Sequence, residues 1–163
     1  MKKGTTVARF GLLLALALVL SYLESLVPLS FSVPGVKLGL PNLVIIFALY
    51  CMGKREAILI SLLRVLLASI LFGNVLSMLY SAAGALVSFL AMWGLKSSGK
   101  FSCTGVSVAG AVAHNCGQIF TAVLLLETSR LVWYLPVLCV SGVVAGVCIG
   151  LLSAQLIKRI KIN

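Results

Sequence analysis

Ser107-Val108-Ala109-Gly110-Ala111-Val112-Ala113-His114-Asn115-Cys116-Gly117-Gln118 places the chain's one histidine in the middle of an apolar segment. Wound as a helix, Ser107, Gly110, Ala111, His114, Gly117, Gln118 and Thr121 share one side, and Val108, Val112, Ile119, Val123 and Leu126 share the other. One face is small and polar, the other greasy. In a hydrocarbon medium a polar face is costly unless it looks into protein or a wet cavity, so His114, Asn115 and Gln118 are expected to point at a buried site.

The surroundings of this stretch set the medium. Of 163 residues, 61% are hydrophobic and 10% charged, a balance that excludes an ordinary soluble domain. Six apolar segments follow one another at about 7–27, 41–52, 56–72, 74–95, 103–128 and 131–157, which predicts an all-α integral membrane protein, a single bundle of six transmembrane helices. Thirteen Lys and Arg face three acids, all glutamate. The basic residues lie between apolar segments and not on one soluble face, so they report membrane orientation and imply no nucleic-acid partner. With six spans and both termini inside, Lys2, Lys3, Arg9, Lys54, Arg55, Lys96, Lys100, Lys158, Arg159 and Lys161 fall on the inner side and only Lys37 and Arg130 on the outer. That asymmetry predicts cytoplasmic termini in a prokaryotic cytoplasmic membrane. Ala15-Leu16-Ala17 mimics a signal cleavage site, but it lies inside an apolar run that continues to Val27, so the first helix is read as retained.

Each segment carries a polar or small-residue signature. In the first, Ala17, Ser21, Glu24 and Pro28 make one face, and Ala8, Gly11 and Ala15 another, the latter spaced for close approach by a helix of the bundle or of a partner subunit. Residues 29–42 hold prolines and glycines that break any helix, and the short second segment requires part of this loop to dip into the membrane as a pocket wall. The third segment puts Arg64 about halfway across, where facing lipid costs about 2.5–3.5 kcal/mol, so it must face inward. The fourth carries Ser77, Ser81, Gly84 and Ser88 on one stripe, and the sixth carries Gly142, Gly146, Gly150 and Ala154 at four-residue spacing, a close-packing signature. Cys51, Cys103, Cys116, Cys139 and Cys148 are odd in number and form no C-x-x-C pair, so they read as small apolar residues; no metal site is expected.

Counting the helical rise from the inner-boundary residues Arg9, Arg55 and Lys100 puts Glu24 at about 22 Å, His114 at about 21 Å and Arg64 at about 14 Å. Gln118, Asn42 and Asn74 sit further out, and Lys37 lies in the loop above. Together Glu24, Lys37, Asn42, Arg64, Asn74, His114, Asn115 and Gln118 describe a substrate pocket opening outward. Its excess of positive charge suits a polar, anionic small molecule. Two plainer readings stand beside it: Glu24 and Arg64 neutralising each other, and His114 and Asn115 bridging helices.

Four stretches carry a family resemblance: Ser-Tyr-Leu-Glu-Ser (21–25), Val-Lys-Leu-Gly-Leu-Pro-Asn (36–42), Arg-Val-Leu-Leu-x-Ser-x-Leu-Phe-Gly (64–73) and Val-Ala-Gly-Ala-Val-Ala-His-Asn-x-Gly-Gln (108–118). Over nearly its whole length the chain resembles the Gx transporter family. Members of that family also bear the name heptaprenyl diphosphate synthase component I, and they are similar to the substrate-binding S components of energy-coupling factor (ECF) transporters. The resemblance implies a six-helix fold that captures a vitamin-like molecule outside and works with a transmembrane coupling subunit and two ATPases. It also implies docking through the small-residue face of the first helix, which here is Ala8, Gly11 and Ala15. The prenyl synthase name meets a chemical objection. Chain-elongating prenyl transferases hold Mg²⁺ and diphosphate on aspartates, and this chain has none. A Gly-x-Ser-Gly nucleophile and a Walker A sequence are also missing, so no enzymatic activity and no cofactor are expected. The remaining alternatives are a membrane accessory of isoprenoid diphosphate synthesis and a structural membrane protein.

Overall fold

The computed structural model describes residues 3–26 and 39–160. They form helices α1 (Lys3–Leu26), α2 (Leu40–Cys51), α3 (Lys54–Phe72), α4 (Val75–Ser98), α5 (Cys103–Leu126) and α6 (Leu135–Arg159), with a 3-10 helix, Ser129–Tyr134, leading into α6. The apolar segments read from the sequence correspond to these helices, and no strand occurs among the described residues. The sixth starts later than expected. Pro136 lies in the first turn of α6, where its missing N–H costs nothing, and the chain before it takes the tighter 3-10 form.

By length and composition four stretches are able to cross a membrane: Gly4–Leu26, Val75–Ser98, Cys103–Leu126 and Ser129–Arg159. The other two helices differ for evident reasons. α3 opens on Lys54-Arg55-Glu56 and carries Arg64, while α2 has only 12 residues, about 18 Å of helix.

α2 is the most deeply buried helix of the bundle. Val44, Ile45, Ile46, Phe47, Ala48 and Leu49 are all buried, so the helix is covered on every face, as its uninterrupted apolar sequence demands. α1, α3 and α6 pack on it. α3 continues to α4, α4 to α5 and α5 to α6, so α2 to α6 close a ring, with α1 laid outside against α2 and α3. At the end where α2 finishes, the Lys96 ammonium donates to Leu49 O at 2.5 Å and lies 4.9 Å from the Tyr50 ring, and Lys54 sits 4.6 Å over Trp93. These basic and aromatic pairs collect where the inner boundary was expected.

Glycine decides how closely the ring closes. A Cβ on Gly146 would stand 2.7 Å from the Val108 Cα, and one on Gly150 would stand 2.6 Å from the Thr104 Cα. Both obstacles are backbone, which cannot swing aside. On the other flank of α5, a Cβ on Gly117 would come 3.0 Å from the Gly84 Cα. α5 is thus clamped between α4 and α6 by contacts only glycine permits.

α1 sorts its two small-residue faces differently. Ala17 is fully buried and Ser21 bonds back to Ala17 O, so the Glu24 side faces the bundle. Ala8, Gly11 and Ala15 are exposed, and a Cβ on Gly11 would meet nothing within 4 Å.

Gly146→Leu should lower the unfolding midpoint of the purified protein sharply, costing about 1–3 kcal/mol or more through overpacking. Gly11→Leu should leave that midpoint unchanged. Equal losses for the two would contradict the assignment of a packed α6 face and an open α1 face.

Candidate functional site

A cavity within the bundle draws on all six helices. α1 supplies Glu24 and α2 supplies Gly39, Pro41, Asn42 and Ile46. Arg64 enters from α3, Ser81 and Met92 from α4, and Ser107, Ala111, His114 and Asn115 from α5. α6 closes the wall with Gly142, Ala145, Gly146 and Ile149. The space open to the centres of water molecules is about 50 Å³, room for a few waters.

Local sequence explains how each polar group gets there. Gly39 adopts a left-handed conformation (φ 71°), which turns the chain into α2 and leaves its N–H pointing away from the helix ladder. That N–H donates to Glu24 Oε1 at 2.5 Å, so a carboxylate neutralises the positive amino end of α2. Arg64 is the other fixed charge. Its Nε is buried and has no hydrogen-bond partner. The Glu24 carboxylate acts on Arg64 as a nearby charge while its recorded hydrogen bond goes to Gly39. Asn115 donates from Nδ2 to Leu138 O at 2.6 Å, tying α5 to α6 beside Gly142. His114 lines the cavity from α5, and its main-chain oxygen would stand 2.8 Å from a Cβ on Gly84.

Five of the expected site residues therefore meet in one cavity: Glu24, Asn42, Arg64, His114 and Asn115. Gln118 does not line it; its Cγ lies against Gly84 in the α4–α5 seam. Asn74 is exposed and caps α4, its Oδ1 accepting from Ser77 N at 2.8 Å while Ser77 Oγ accepts from Asn74 N at 3.1 Å. Depth along a helix axis gives no azimuth, so residues at one depth need not face one cavity. Lys37 and most of the loop 29–42 lie outside the described residues.

The sequence reading left out what α6 contributes. Gly142 and Gly146 were read as packing residues, and they both pack on α5 and border the cavity. Ser81 and Ser107 stood on polar stripes that signalled an inward face, and both prove to line the cavity. Among the described residues, no group of three or more His, Cys, Asp or Glu is placed to hold a metal ion.

Replacing Arg64 separates site from scaffold. A buried Nε–H with no partner costs stability, so Arg64→Leu should unfold at or above the wild-type temperature, a gain of up to about 1–3 kcal/mol. A fall in the midpoint would show that Arg64 holds the bundle together as a structural ion pair with Glu24.

A family model described as heptaprenyl diphosphate synthase component I matches residues 13–156. No curated protein and no solved structure matches the chain.

Proposed function

The chain belongs to the heptaprenyl diphosphate synthase component I family, and within it we propose that this protein is the substrate-capturing membrane subunit of an ECF-type importer. One observation carries the reading. Six helices that are otherwise apolar each give at least one residue to a single cavity containing a glutamate, an arginine, a histidine and two asparagines. A bundle built only to stay folded gains nothing from an arginine whose Nε has no partner.

In this proposal the bundle crosses the cytoplasmic membrane of a prokaryote six times, with both ends inside. The cavity opens outward and takes a small polar molecule, or the polar head of a larger one. Glu24, Asn42, Arg64 and His114 hold it by hydrogen bonds and charge, and Asn115 positions the α5–α6 wall. No bond is made or broken. A coupling subunit with two ATPases supplies the energy, and the exposed Ala8, Gly11 and Ala15 face of α1 is where it docks. Nothing on that face of α1 is committed to the bundle.

The family description favours a second reading, a membrane accessory of isoprenoid diphosphate synthesis. The chain has no aspartate to hold Mg²⁺ and diphosphate, so in that role a separate subunit would perform the catalysis.

Native mass spectrometry of the detergent-purified protein discriminates them. We expect a co-purified water-soluble metabolite that is lost in His114→Ala and Arg64→Ala, both remaining folded and monodisperse. A bound polyprenyl diphosphate would replace the importer reading with the isoprenoid one. Docking is tested separately: Gly11→Leu should abolish co-purification with the coupling subunit, and unchanged co-purification would remove α1 from that role.

A further inference from the structure

The cavity holds two opposite fixed charges, and they are not used up on each other. Arg64 Nε–H is a buried donor with no partner. Glu24 spends one carboxylate oxygen, Oε1, on Gly39 N–H, and its second oxygen has no hydrogen bond among the described residues. Among the described residues, a guanidinium and a carboxylate therefore line one cavity with no hydrogen bond joining them. A plain anion would gain Arg64 and be repelled by Glu24; a plain cation would meet the reverse. With Glu24 already neutralising the amino end of α2, that helix adds little attraction for a second anion. A polyvalent phosphate would meet one arginine beside a glutamate, with no metal-binding cluster among the described residues to offset its charge.

Resting on the binding-subunit reading above, we propose that the cavity recognises a dipolar group, a carboxylate and an ammonium or equivalent hydrogen-bond donor on one small molecule, the carboxylate taken by Arg64 and the donor by Glu24. This replaces the anionic ligand expected from an excess of positive charge in the pocket, an expectation that counted Lys37, which lies outside the described residues.

The test uses three probes of matched length on the full chain in detergent: β-alanine, propionate and propylamine, at neutral pH. Affinities are read from the dependence of the unfolding midpoint on probe concentration. Wild type should bind β-alanine at least about tenfold more tightly than either singly charged probe, the scale of one charge-assisted hydrogen bond. Glu24→Gln keeps an oxygen for Gly39 N–H but removes the charge, and should reverse the order in favour of propionate. Arg64→Gln should shift it towards propylamine, so either variant alone decides if the other does not fold. Propionate binding wild type as well as β-alanine, an unchanged order in the variants, or no response to any probe would overturn the proposal. Because the chain is tested by itself, charge selectivity that persists with no coupling subunit ever co-purifying would support the proposal and sink only the import reading.

Discussion

A guanidinium halfway along an apolar helix constrains everything around it. Facing hydrocarbon, Arg64 would cost several kcal/mol, on the order of a large part of a domain's net stability. Fully paired inside, it would be inert. The bundle does neither: Arg64 borders an internal cavity, its Nε buried without a partner, and the nearest acid is held by the amino end of α2. The geometry that prevents simple neutralisation is the left-handed turn at Gly39, which aims a backbone N–H at Glu24.

Keeping a cavity in so small a bundle requires that its walls be drawn tight elsewhere. The seams on both sides of α5 do this without hydrophobic driving force between helices, since lipid is as apolar as leucine. Gly146 and Gly150 admit the backbone of α5 at Val108 and Thr104, and Gly84 with Gly117 does the same for α4. The same α6 glycines that permit contact also leave space, which is how Gly142 and Gly146 come to border the cavity. α2, buried from Val44 to Leu49, is the ring member whose start brings Gly39 and Asn42 to the site.

Surface and site are divided along single helices. On α1, Ala17 and Ser21 lead inward to Glu24, while Ala8, Gly11 and Ala15 remain uncovered. Basic and aromatic side chains gather at the opposite end from Glu24, where Lys54 meets Trp93 and Lys96 meets Tyr50. A polar cavity and a largely apolar surface thus coexist in a chain with only three acids.

Much of this was legible beforehand, because periodicity and composition are local properties. Apolar runs located the helices, Arg64 and His114 announced an inward face, and the glycine spacing announced close packing. Azimuth and partner choice are not local. Asn74 and Gln118 had the right depth, yet one caps α4 and the other packs in the α4–α5 seam. Asn115 had the right face, yet its amide is held by Leu138 O. By itself the sequence determined that the chain is a helical membrane protein with costly polar groups, since an arginine or histidine amid apolar residues must be covered whatever the fold. Which of those groups meet, and that the Glu24 carboxylate bonds to Gly39 N–H, emerges only from the packed bundle, because hydrogen bonds depend on directions between helices that no single helix encodes.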